Sequence, residues 1–432
     1  MLLVESALRP DPKLRHLEMA WRPDEMAGFF NETVLPALND SRQVTEARLE
    51  RVTYSPGKEC FAVYRLEFES DLEQAARCVV TFGQRAKLQE VFAQHYQARC
   101  GSAVFLPEPS CLVEFFPSDW KLPFLARALD PREMAQVFGD SNRRPEIKVL
   151  AYYAHRRSIL RYRVGSTKML GKLYTPGPLV ESVRQVMKDV HLQGTIRGLL
   201  TPKPLAVVGE LLLMEWLPGV SMDRALEQTG MEQSRAAIRL AAEALSKIHR
   251  LQVHCESWRS LDSDWERHGQ RAGQLHLVAP ELAGQVDALR EQIKARLVRL
   301  DSAPSVFLHG DYKTAQLLLD GDRLGVVDFD RAGFGDPAID VGNFMADLRR
   351  TAAATGQAFL SDLADEFLAE YQARSPELDN ELEVRVRLMQ SLALVRMAMR
   401  TFRHAPHVEA LAGPDSLTWL LLQEATECLE QA

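Results

Sequence analysis

One stretch of this chain limits its fold more than any other. Residues 305–344 read SVFLHGDYKTAQLLLDGDRLGVVDFDRAGFGDPAIDVGNF. Two apolar runs, Leu317–Leu319 and Leu324–Val327, flank Asp320-Gly321-Asp322. Asp-Gly between apolar runs is a strong hairpin signal, because these residues reach the positive φ that a tight turn between twisted strands needs. Closing a hairpin there sets the residues just outside the two strands side by side. Gln316 then faces Val327 and Asp328. Asp311 lies in the loop entering the first strand, and Asp330 follows the second. The pattern predicts Asp311, Gln316, Asp328 and Asp330 gathered at one end of the hairpin, on loops.

Carboxylates so gathered are costly unless something neutralises them. A hard cation is the obvious candidate, since Mg²⁺ takes oxygen ligands and is usually shared with substrate phosphates. Asp328 and the amide oxygen of Gln316 suit that role. Asp311, displaced from the metal, can accept a proton from an attacking hydroxyl. His309 reads as structural, holding the loop by hydrogen bonds. Asp340 reads either as a helix cap bracing that loop or as a participant.

Upstream the texture is different. Residues 14–45 look mostly helical, with breaks at Pro23 and Pro36. Residues 48–68 are rich in β-branched and aromatic residues around Pro56-Gly57 and read as a hairpin. CVVTFG (78–83) reads as a third strand and 86–100 as a helix. From Ile147 a second such pattern begins, with strand-like runs near 147–153, 158–164 and 168–174. Tyr54 on Tyr152, Lys58 on Arg156, Tyr64 on Tyr162 and Arg65 on Arg163 give one constant offset, the mark of an internal repeat. CVVTFG then answers MLGKLY, and the first copy lacks a counterpart to Lys172. A helix at 179–190, strands at 204–208 and 211–216, and a break at Leu217-Pro218-Gly219 follow. Beyond the break, apolar residues recur at helical spacing.

HGDYKTAQ followed by VVDFD and FGDPAIDVGNF resembles the core of the aminoglycoside-phosphotransferase and choline-kinase-like group, relatives of protein kinases. The resemblance implies an α+β, two-lobed protein-kinase-like fold: a small β-rich N-lobe at 146–217 and a large helical C-lobe at 218–432. Residues 1–145 would be an extra N-terminal α/β domain. It implies ATP and Mg²⁺ as cofactors, Asp311 as catalytic base, and Gln316 and Asp328 as metal ligands. Lys172 would touch the α/β-phosphates, as the strand Lys of kinases does, and Glu181 on the next helix would pair with it. MEWLPG (214–219) resembles the interlobe hinge, with backbone groups of Glu215 and Leu217 bonding adenine.

The sequence departs from the family pattern at Gln316, where Asn is usual. It departs again at Ala154–Arg157, which lacks the glycines of a phosphate loop. There Arg156 and Arg157 would supply charge in place of backbone approach. The run His155-Arg156-Arg157 taken alone reads as a solvated turn. Asp330 after Phe329 matches the small-molecule branch better than protein kinases.

The implied reaction moves the γ-phosphoryl group to a hydroxyl of a small polar molecule. Gln316 and the N-terminal extension resemble maltokinase-like and glucosamine-kinase-like enzymes, which ranks sugars first, then amino alcohols and aminoglycosides. An acidic surface near Asp365, Glu366 and Glu370, or near Asp415, would favour a cationic acceptor. The rival readings are a nucleotide-binding pseudokinase and a protein kinase.

The balance of 52 Lys and Arg against 59 Asp and Glu gives a net charge of −7, which offers no support for bulk nucleic-acid binding. The six cysteines show no C-x-x-C spacing, so a reducing compartment is the expectation. No apolar run is long enough to span a membrane, and the N-terminus is a poor signal peptide. The expectation is a soluble cytoplasmic protein.

Overall fold

The computed structural model describes residues 9–14, 16–69, 76–98, 101–139, 143–259, 261–301, 303–375 and 381–432. Short alternating runs punctuated by tight turns build two antiparallel sheets in its first half. The first comprises β1 (Val44–Ser55), β2 (Glu59–Phe68), β3 (Ala76–Gly83), β4 (Ala103–Leu106) and β5 (Cys111–Phe115), in the order β1-β2-β3-β5-β4. The second comprises β6 (Glu146–Tyr153), β7 (Arg157–Val164), β8 (Thr167–Tyr174), β9 (Pro204–Val208) and β10 (Leu211–Glu215), in the order β6-β7-β8-β10-β9. In each, a helix follows the third strand: Arg85–His95 in the first and Leu179–Ile196 in the second.

The correspondence reaches individual bonds. Tyr54 lies opposite Cys60, and Tyr152 opposite Ser158. Each first strand carries a bulge, between Leu49 and Arg51 and between Val149 and Ala151. The Lys58 N–H donates to the Ser55 carbonyl and the Arg156 N–H to that of Tyr153, both at 3.0 Å, closing the same turn. Each turn holds one residue at positive φ, Gly57 at 70° and His155 at 59°. Glycine goes there freely; histidine does so against a steric cost. Register also fixes the third strands. Phe61 faces Thr81 as Ile159 faces Lys172, so Thr81 stands where the second sheet has its lysine. By the same register Glu114 of β5 stands in the place of Met214 of β10.

The helix Leu179–Ile196 buries Val183, Val186, Met187 and Val190 at helical spacing. Each such side chain, fully buried, stabilises by about 1.5–3 kcal/mol. The second half of the chain is mainly helical, with Met231–Ile248, Ala338–Thr355 and Leu382–His404 at its centre. Small strands sit among the helices: β11 (Val220–Ser221), β12 (Val306–Leu308), β13 (Leu317–Asp320), β14 (Arg323–Val326) and β15 (Gly333–Gly335). β13 and β14 form the expected hairpin, closed by Gly321 and Asp322, with Gly321 at φ 64°. The Val326 N–H reaches back to the Leu200 carbonyl at 2.8 Å, joining the hairpin to the sheet-rich lobe. The architecture is a small β-rich lobe on a large helical lobe, the two-lobed kinase-like fold. Among the described residues, no helix is long and apolar enough to cross a membrane.

Candidate active site

Lys172 projects from the middle of the second sheet and is 4% exposed. An ammonium so buried needs anions beside it. The hairpin delivers two: Lys172 Nζ contacts Asp328 Oδ1 and lies 2.7 Å from Asp330 Oδ2. Asp328 sits in the left-handed region, at φ 70° and ψ 56°, two residues past the end of β14. Holding a non-glycine residue there costs on the order of 1 kcal/mol or more. Arg157, the first residue of β7, adds a second cation, 3.2 Å from Asp330 and 3.6 Å from Asp328. The Tyr174 hydroxyl donates to Asp330 Oδ1 at 2.8 Å, and Gln316 Nε2 donates to Asp328 Oδ2 at 3.1 Å.

Burial pushes both carboxyls up, but Lys172 and Arg157 outweigh it at Asp328 and hold that group well below the usual carboxylate range. At Asp330 burial and the neighbouring Asp328 charge prevail, and its pKa is raised. One acid is thus firmly ionised and the other reluctant.

Asp311 lies in the loop between β12 and β13. Burial would raise its carboxyl, yet Lys313, whose Nζ is 2.6 Å from Asp311 Oδ2, and Arg331 hold it below the ordinary value. The loop is braced from three sides. The fully buried Asp340 carboxylate accepts from the N–H of His309 at 2.7 Å and of Gly310 at 2.9 Å. His309 Nε2–H donates to the Val327 carbonyl at 2.9 Å, while its Nδ1 accepts the Asp311 N–H at 3.3 Å. This one imidazole ties the Asp311 loop to the exit of β14. Gly310 sits at φ 77°, and a methyl group there would run into the Arg331 carbonyl oxygen. Glycine is therefore required.

Three expectations need correction. Glu181 does not pair with Lys172; its side chain is 59% exposed and bonds Arg184, one turn along the same helix. The helix turns valines and a methionine inward instead, and Lys172 takes both partners from the hairpin. Arg156 is exposed in the turn, and it is Arg157 that reaches the acids, because Arg157 opens β7 two residues before Ile159, which faces Lys172, and so lies on the lysine's face. His155 is not solvated but 5% exposed. Glu215 ends β10, its N–H donating to the Lys203 carbonyl at 2.9 Å, and Leu217 follows two residues on. Both line a cleft of about 530 Å³ together with Thr201, Lys247 and Arg323, and its lining does not include Asp311, Asp328 or Asp330.

Sequence reasoning passed over Lys313 and Tyr174. Both had signals: Lys313 is two residues beyond Asp311, and Tyr174 shares a strand face with Lys172.

The residues fit a hard cation. An ionised carboxylate beside an amide offers oxygen donors of the kind Mg²⁺ takes. Lys172 and Arg157 stand beside them as two cations paired with the same carboxylates.

A two-lobed fold with a buried lysine set against two hairpin acids defines a kinase-like class. A family model described as the phosphotransferase enzyme family matches residues 153–381, and the chain belongs to that family. An aminoglycoside 3'-phosphotransferase of Niallia circulans is 31% identical over 147 residues, which is 32% of this chain and 54% of that relative. The match therefore spans about half the relative's length. Among solved structures, an ethanolamine kinase of Plasmodium vivax gives a TM-score of 0.49 at 11% identity, over 80% of this chain and 94% of its own. A choline/ethanolamine kinase family protein of Mesorhizobium loti gives 0.48 at 14% identity, over 72% and 100%.

Proposed function

We propose that this protein is an ATP- and Mg²⁺-dependent phosphotransferase that moves the γ-phosphoryl group to a hydroxyl of a small polar molecule, a sugar or amino sugar. One observation carries the reading: Lys172, Arg157, Gln316, Asp328 and Asp330 converge at the hairpin end, beside a loop that presents Asp311. We assign residues 1–145 to an N-terminal unit, 146–217 to the N-lobe and 218–432 to the C-lobe. Adenine would lie against the backbone of Glu215 and Leu217.

In the free protein two cations balance two carboxylates. Lys172 and Arg157 would turn from those carboxylates to phosphate oxygens, and the divalent cation that comes with the nucleotide would match the carboxylate charge they release. Asp328 and Gln316 would then hold the Mg²⁺, which supplies charge neutralisation during transfer. Asp311, kept ionised by Lys313 and Arg331, would orient the acceptor hydroxyl and take its proton. Most of the rate gain would come from alignment.

Three of the acids that would favour a cationic acceptor are engaged within the C-lobe itself. Glu366 binds Arg235 at 2.7 Å, Asp365 binds Arg387 at 2.6 Å, and Glu370 is engaged by Arg374. These acids are already matched. A screen of sugars, amino sugars and amino alcohols with radiolabelled ATP tests the reading. Asp311→Asn and Asp328→Ala should each lose about 10³-fold in turnover while staying folded. ATP binding without phosphorylation of any acceptor would favour a pseudokinase, and robust phosphorylation of a protein would favour a protein kinase.

A further inference from the structure

Thr81, Leu112 and Glu114 share the face of the first sheet that corresponds to the Lys172 face of the second. In the second sheet that face looks onto the hairpin acids. In the first it grips the β6–β7 turn of the second sheet. Val63 and Val79 pack with Tyr152 and Ala154, and the Phe61 ring meets the His155 ring edge-on at 4.9 Å.

At the centre of this contact lies a buried charged cluster. His155 Nε2 is 2.6 Å from Glu114 Oε2 and 4.0 Å from Asp119 Oδ1, and both acid side chains are fully buried. Asp119 holds the turn's backbone as well, accepting from the His155 N–H at 2.8 Å and from the Tyr152 hydroxyl at 2.8 Å. The backbone N–H groups of Lys121 and Leu122 cover its other oxygen, at 2.9 and 3.2 Å. Tyr96 donates to Glu114 Oε1. The donor atoms of the three residues lie within 4.8 Å of one another, close enough for a metal ion. Yet hydrogen-bond donors already occupy both Asp119 oxygens and one Glu114 oxygen, so the ion pair explains the cluster without one. Two residues past His155, Arg157 faces Asp328 and Asp330.

We propose that His155 is a positioning residue: clamped by Glu114 and Asp119, it fixes the β6–β7 turn from outside so that Arg157 reaches the nucleotide phosphates. The inference rests on the phosphotransfer reading above. A glycine-rich loop meets phosphates with backbone N–H groups and needs freedom to fold over them. This turn has no such glycine, and it is locked at a positive φ by side chains of the N-terminal unit. The first sheet shares the N-lobe topology, carries Thr81 in the lysine's place, and uses that face to hold the other sheet's turn.

The test is a double-mutant cycle in the full chain with His155→Asn and Arg157→Ala, read as Kd for a fluorescent ATP analogue with Mg²⁺ and as KM and kcat. Asparagine tolerates the left-handed conformation. Each single variant should weaken nucleotide binding about tenfold, the scale of one charge-assisted contact, with acceptor KM unchanged. If His155 acts through Arg157, the double variant is no weaker than either single one. Additive losses, or a folded His155→Asn with unchanged Kd, overturn the proposal. Should His155→Asn not fold, Glu114→Gln carries the same cycle, with the same two outcomes. One transition-metal ion per chain in the purified protein, with chelation reproducing the variant's loss, would overturn it in favour of a metal centre. A wild-type chain that binds no nucleotide removes the phosphotransfer reading itself; a wild-type chain that binds it with an additive cycle removes only this inference.

Discussion

The two sheets of this protein share strand order, helix placement, turn bonds and register, yet only one of them faces the hairpin acids. The difference comes down to a few positions. Where the second sheet has Lys172, the first has Thr81; where it has Met214, the first has Glu114; and the turn residue Gly57 of the first is His155 in the second. A lysine on the face makes an anion site once a hairpin brings two acids against it. A glutamate on the same face makes a site for a cation, and the cation supplied is the imidazole of the neighbouring turn. The same topology thus serves two ends, and charge decides which.

The largest effect should come from removing the lysine that separates the sheets. Lys172→Met should lower kcat/KM by about 10³-fold, since Asp328 and Asp330 would face the phosphates with one cation fewer. Steady-state kinetics with ATP and an acceptor found in the screen measures it. A folded variant within tenfold of wild type would show that the two sheets do not differ in the way claimed.

Gly310→Ala comes next. The new methyl group meets the Arg331 carbonyl, and the backbone there is left-handed. Displacing the Asp311 loop by even 1 Å can cost about 100-fold. The expected result is a loss of that order in kcat, with a nucleotide Kd close to wild type. A Kd that rises as far as kcat falls would mean that the loop also builds the nucleotide site.

These sites differ in how far the sequence revealed them. Asp-Gly between apolar runs announced the hairpin, and a hairpin has only one way to place what lies at its open end. The repeat was legible because aromatic and basic residues recur at one offset, and the third-strand alignment that set Thr81 against Lys172 survives in the register. The Glu181 pairing was not legible. A carboxylate one turn into a helix satisfies any pattern search, whereas its choice of Arg184 depends on which helix face turns inward. Nor was the burial of His155, since a His-Arg-Arg run reads as solvent-exposed until a second sheet is laid over it. Long-range packing decided both, and local pattern carries no record of it.

The clamp predicts a pH dependence of stability. Burial lowers the affinity of His155 for a proton, but Glu114 and Asp119 outweigh it and raise the pKa. A raised histidine stabilises the fold fully below its unfolded pKa, about 6.5, and that contribution fades as pH rises through the folded value. Breaking a buried ion pair from one side costs about 3–5 kcal/mol. The Tm gap between wild type and His155→Asn should therefore be widest at acid pH and narrow on the alkaline side. A gap that stays constant from acid to alkaline pH would mean that folding leaves the histidine's proton affinity unchanged.

The smallest effect belongs to Thr81. Its side-chain hydroxyl is buried and finds no hydrogen-bond partner among the described residues. Valine has nearly the same shape and no polar atom to desolvate. Thr81→Val should thus stabilise the protein by about 1 kcal/mol and leave turnover unchanged. Chemical denaturation with unchanged m-value would measure the first, and the acceptor assay the second. The contrast with Lys172→Met is the point of the pair. Two residues at one place in one topology give opposite outcomes, because one must hold a charge for the neighbouring lobe and the other has none to hold. A loss of activity in Thr81→Val would mean that the first sheet still handles nucleotide, and that the two copies have diverged less than their charges imply.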